Sequence, residues 1–178
     1  MQRLVHTRDI SMQTSDLGDH RILVEGSLID RRYQPGQSGP PGEAEPVHNM
    51  VVRLKVKGPE MLIEQAEAEM PHHPRKECPE VLPWIRNLEG LEVAPGYSMK
   101  VKRAIGGTRG CAHLTSLVIS MGESAVQGYW AAYGAEGRKR GLREQTIRKF
   151  INTCHLWKED GPIVKEIRQS LESRDSPE

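Results

Sequence analysis

Along residues 47–57 apolar and polar side chains alternate. Met50, Val52, Leu54 and Val56 fall on one side of an extended chain, and Arg53, Lys55 and Lys57 on the other. A repeat of two is the mark of a half-buried strand. Gly58-Pro59-Glu60 turns the chain, and residues 61–70 read as the returning strand, with Ala66, Ala68 and Met70 inward and Glu67 and Glu69 outward. The outward Lys and Glu rows then face each other across the ladder. Upstream, residues 3–13 and 20–33 flank the turn signal Asp16-Leu17-Gly18-Asp19 and predict a hairpin, with Gly26 as a bulge. Its charged residues, Arg3, Arg8, Asp9, Arg21, Asp30, Arg31 and Arg32, are expected on a solvent face.

The pattern changes after residue 70. Pro71 to Glu77 reads as a rigid loop delivering Cys78, and Pro79 suits the first turn of a short helix striped by Val81, Leu82, Ile85 and Leu88. Residues 97–105 set Tyr97, Met99 and Val101 against Lys100 and Lys102, which predicts another strand. Leu114, Leu117, Val118 and Met121 then recur at i, i+3, i+4 and i+7, predicting a helix over 111–133 in which Gly122 and Gly128 kink the axis or admit a close neighbour. Residues 134–141 read as a break. Helical pattern resumes with Leu142, Ile147, Phe150 and Ile151, and a last helix carries Ile163, Val164, Ile167 and Leu171. The expected fold is α+β: an antiparallel sheet with C-terminal helices packed on one face. Residues 1–178 are expected to form a single domain with a mobile loop at 34–46 and a frayed tail at 173–178.

Composition narrows the function classes. The 178 residues carry 25 basic and 24 acidic side chains, and only 4% are aromatic. That balance gives no reason to expect nucleic acid or an anionic membrane as partner, leaving a protein or a small molecule. No apolar run approaches the ~20 residues of a membrane span, and residues 1–9 lack the apolar core of a secretory signal, so a cytoplasmic protein is expected. Three cysteines, none closely paired, are then thiols or ligands rather than disulfides.

The candidate chemistry gathers around those cysteines. Gly106-Gly107-Thr108-Arg109-Gly110-Cys111-Ala112-His113 runs a glycine-rich turn into a Cys-x-His pair, read as bending a strand into a helix. Cys154-His155 stands at a break between helices, and Cys78 ends the proline-rich loop. Thiolate and imidazole are ligands of zinc and of iron–sulfur clusters, so Cys78, Cys111, His113, Cys154 and His155 are the expected metal ligands. Alternatively, Cys111 at a helix start, beside Arg109, is a nucleophile with His113 or His155 as base. A third possibility is an accessory protein whose site is purely structural. His48, at the start of a strand, reads as a surface residue within reach of the site.

Four pieces together resemble an uncharacterised bacterial family, a domain of unknown function. They are His48-x-Met50 opening a strand, Cys78 after its loop, Gly106-Gly107-x-x-Gly110-Cys111-x-His113-Leu114, and Asn152-x-Cys154-His155-x-Trp157 before Gly161-Pro162. The resemblance runs over about residues 20–165 and implies that the Cys/His pieces travel as a set, without an activity to carry over. The order Cys78, Gly110-Cys111, Cys154-His155 also bears analogy to iron–sulfur scaffold proteins, from which the late Cys-His order and the longer spacings depart. Iron–sulfur or metal handling is the role this implies.

Overall fold

The computed structural model describes residues 2–33, 44–139 and 151–172. The expected loop at 34–46 falls largely outside them, as do the tail at 173–178 and the helical pattern at Leu142, Ile147 and Phe150. The fold is α+β. A four-stranded antiparallel sheet runs in the order β1 (His6–Gly18), β2 (Arg21–Arg32), β3 (Pro46–Lys57), β4 (Leu62–His72). A 3-10 segment (Cys78–Leu88) follows, then helices α1 (Tyr97–Ile105), α2 (Ala112–Lys139) and α3 (Pro162–Glu172). The chain forms two compact units, Met1–Tyr129 and Trp130–Glu178, with α2 passing from one into the other. The second unit also holds a single turn, His155–Trp157, and α3, whose Val164 is buried.

One face of the sheet is the core of the first unit. On β2 the buried row is Ile22, Val24, Gly26, Leu28 and Asp30; on β3 it is His48, Met50, Val52, Leu54 and Val56. Antiparallel register sets the two rows opposite each other: Ile22 with Val56, Val24 with Leu54, Gly26 with Val52, Leu28 with Met50, and Asp30 with His48. β4 adds Ile63, Ala66 and Met70 to this face. Leu114, Leu117, Val118, Met121 and Ala125 of α2 are buried, and Met121 and Leu117 lie directly over Gly26. Each fully buried aliphatic side chain contributes about 1.5–3 kcal/mol. Gly26 is therefore no bulge, since its pairing with Met12 and Val52 is regular. It is the low point of the sheet on which α2 rests.

The outer face carries the charge pairs. Arg53 bonds Glu25 at 3.1 Å and also Glu69, and Arg21 bonds Glu64 at 2.9 Å. The outward Glu row thus meets arginine more than lysine.

Residues 97–105 form a helix, not a strand. Tyr97, Val101 and Ile105, four apart, are buried, while Met99, which a strand would hold inward, is 54% exposed. A stretch of nine residues with apolar positions at both two- and four-residue spacing fits either period. The Tyr97 hydroxyl settles the packing by donating to the Val118 carbonyl of α2 at 3.1 Å. The glycine-rich turn therefore joins helix to helix. Within the anticipated break at 134–141, residues up to Lys139 continue α2, and the last two lie outside the described residues.

Candidate metal centre

The inward rows of β2 and β3 end in polar residues. One pair beyond Leu28 and Met50, Asp30 faces His48, and on the other side Asp30 pairs with Arg8 of β1. Arg8, Asp30 and His48 thus form one transverse row at the end of the apolar face. The β2–β3 register shifts immediately after Asp30, between it and Arg31, as is common beside functional sites. The fourth member comes from α2, whose first turn sets His113 over this row.

Asp30 was expected on a solvent face and is instead only 3% exposed. Alternation itself demands this, since Asp30 is two residues beyond Leu28 on the buried side. An ionised carboxylate so buried needs partners. Arg8 supplies a two-pronged pair, Nε to Oδ1 at 2.7 Å and Nη2 to Oδ2 at 2.8 Å, and His6 Nε2 lies 3.3 Å from Oδ1. The Arg8 hydrogen bonds hold the Asp30 carboxyl at about 2, below its ordinary 3.8, against the opposing effect of burial.

A carboxylate offers about four lone-pair directions. Three are met by Arg8 and His6, and the remaining one, on Oδ2, faces two imidazoles. His48 Nδ1 is 3.2 Å from Oδ2 and His113 Nε2 is 3.3 Å from it. The His48 contact is out of line for a hydrogen bond, so Nδ1 is buried without a hydrogen-bond partner among the described residues. The two rings stack with centroids 3.8 Å apart and planes inclined by 31°. Burial pushes both imidazoles below their ordinary 6.5, and for His113 the neighbouring His48 adds to it; Asp30 only partly offsets this. Two neutral imidazoles and one carboxylate, with ligand atoms all within 4.8 Å of one another, form a group of metal-ligating type.

Cys111 stands behind this group. Its half-buried sulfur is 3.7 Å from His113 Nδ1, the ring nitrogen turned away from Asp30. The loop that places it has no room for a side chain at Gly106 or Gly110. A Cβ on Gly110 would fall 1.7 Å from the Ile105 carbonyl oxygen. The Thr115 hydroxyl, within hydrogen-bond distance of both the Ile105 and Cys111 carbonyls, locks the first turn of α2 to the end of α1.

Of the residues expected from sequence, His113 belongs to the group and Cys111 touches it. Cys78 opens the 3-10 segment as a half-buried free thiol and is not a member. Cys154 and His155 are exposed and lie in the second unit. Asp30 was expected among solvent-facing charges and His48 as a surface residue within reach of the site, so neither was expected as a ligand. The signal was present in both strands, where each continues an apolar alternation by one step of two.

A family model described as protein of unknown function (DUF2889) matches residues 6–127. The match takes in Asp30, His48, Cys78, Cys111 and His113 and ends before Cys154 and His155. No curated protein and no solved structure matches the chain.

Proposed function

The chain belongs to the DUF2889 family, and we propose that it is a metal-binding protein whose centre is Asp30, His48 and His113. The observation that carries this is the buried His48 Nδ1, without a hydrogen-bond partner among the described residues, facing Asp30 Oδ2 together with His113 Nε2. Four-coordinate ligands about 2.0–2.1 Å from an ion stand roughly 3.3 Å apart. The spacings of 3.2 and 3.3 Å from Oδ2 fit that requirement. Two imidazoles and a carboxylate suit a single zinc or iron(II) ion with further positions open, rather than an iron–sulfur cluster, which would draw on the thiols. Arg8 and His6 would orient the carboxylate. Cys111 would accept from His113 Nδ1, fixing the tautomer that leaves Nε2 for the ion. We read the protein as cytoplasmic; among the described residues no helix is long and apolar enough to cross a membrane.

The test is metal content and affinity. Zinc or iron(II) should bind at one equivalent, and His48→Ala or His113→Ala should weaken binding at least a hundredfold while leaving the fold intact by circular dichroism. Cys111→Ser should weaken it tenfold or less. Stoichiometric binding undiminished in the His48→Ala/His113→Ala double variant would remove the proposal.

A second reading rests on the line Cys111 Sγ, His113, Asp30: sulfur to Nδ1 at 3.7 Å, Nε2 to carboxylate at 3.3 Å. That is the order of nucleophile, base and orienting acid in a thiol enzyme. It calls for a Cys111 that iodoacetamide alkylates faster than Cys78 and that slows when His113 is replaced by Ala. Equal rates at the two thiols would exclude it.

A further inference from the structure

The charges around the centre do not balance. Arg8 and Asp30 cancel in their two-pronged pair, and an imidazole must be neutral to hold a metal ion. Arg32 is left over. It pairs with His6 in the β1–β2 ladder, one step of two beyond Arg8 and Asp30 on the same face. It is exposed and has no ion-pair partner among the described residues. The rim is reachable from solvent, since the Arg8 and His6 side chains are 38% and 45% exposed. α2 begins beside it with no acidic residue in its first turn, so the positive end of that helix is uncompensated there as well.

An ion of charge two placed on Asp30, His48 and His113 would leave about three uncompensated positive charges, counting the metal and Arg32. Resting on the metal-centre reading, we infer that the open positions of this centre take a small oxyanion, one oxygen on the metal and a second on Arg32. The ligand class is a carboxylate- or phosphate-bearing small molecule. A guanidinium offers two parallel donors matched to either group, whereas neutral or cationic compounds gain nothing from this rim.

The experiment uses the full chain loaded with cobalt(II), whose visible absorption reports the coordination of the ion. Oxalate and inorganic phosphate are titrated separately, with neutral oxamide as the control. A saturable spectral change with oxalate, phosphate or both, and none with oxamide, is expected; the stronger of the two identifies the head group. Arg32→Gln should weaken the oxyanion about tenfold, and Arg32→Lys should recover part of the loss. Cobalt should still bind at one equivalent, and no more weakly, in both, because Arg32 is no ligand and its charge does not favour a cation. A cobalt spectrum that responds to no oxyanion, that responds equally to oxamide, or that is insensitive to Arg32→Gln overturns the inference and leaves the metal centre standing. Failure of cobalt to bind at all overturns the metal centre and the inference with it.

Discussion

Asp30 concentrates the electrostatics of the first unit into one carboxylate. Its carboxyl is held at about 2, below 3.8, so its pairing contributes stability in full above pH 3.8 and loses it as pH falls toward 2. Nearly two pH units correspond to about 2 kcal/mol. Urea unfolding of the metal-free protein between pH 5 and pH 2.5 should show this acid limb. Asp30→Asn should flatten it and also cost about 3 kcal/mol at pH 7, because Arg8 loses a charged partner. His48 and His113 act in a higher window. Both are pushed below 6.5, so the folded state binds fewer protons than the unfolded one, and stability declines as pH drops below 6.5. The urea midpoint of the metal-free protein should therefore fall between pH 7.5 and pH 5.5. In the His48→Gln/His113→Gln variant it should fall much less, and an equal fall would refute the assignment.

At the scale of elements, α1 is the segment where local pattern and tertiary packing part ways. Met99→Lys should change stability by no more than about 0.5 kcal/mol, because its side chain is outside the core. Val101→Asp should unfold the protein or destabilise it by more than about 3 kcal/mol, since it places a charge in a fully buried position. If residues 97–105 were a strand, the two substitutions would behave alike; thermal melts of both variants separate the cases. The seat between α1 and α2 gives a second check. A Cβ on Gly122 would meet the Tyr97 ring at 2.6 Å, so Gly122→Ala should destabilise by about 1–3 kcal/mol despite the higher helix propensity of alanine. An alanine variant as stable as the parent would mean that the ring does not sit there.

At the scale of the whole molecule, all three proposed ligands, both strands that carry two of them and the start of α2 lie within Met1–Tyr129. The family match covers nearly the same stretch, 6–127. A fragment of residues 1–139, which keeps α2 to its end, should bind cobalt or zinc with affinity within about threefold of the full chain by calorimetry. A hundredfold loss would show that the centre needs residues beyond 139, Cys154 and His155 foremost among them.

Much of the fold was legible because alternation is a local property. The β1–β2 hairpin, β3, the return in β4 and the buried stripe of α2 each follow from residues within a dozen positions of one another. The Cys-x-His turn was legible for the same reason, as a loop feeding a helix start. What local pattern could not decide was α1, where nine residues satisfy two periods and only the Tyr97 contact with α2 selects one. Nor could it pair Asp30 with His48, or bring His113 over both, since these residues are far apart in sequence. Strand register sets the first pair side by side, and the seating of α2 on Gly26 delivers the third. Residue types alone drew attention to the cysteines, the rarer and more reactive side chains. Tertiary structure moved the weight to an aspartate and two histidines, because a buried carboxylate and neutral imidazoles can share one small volume only where the sheet and helix close over them.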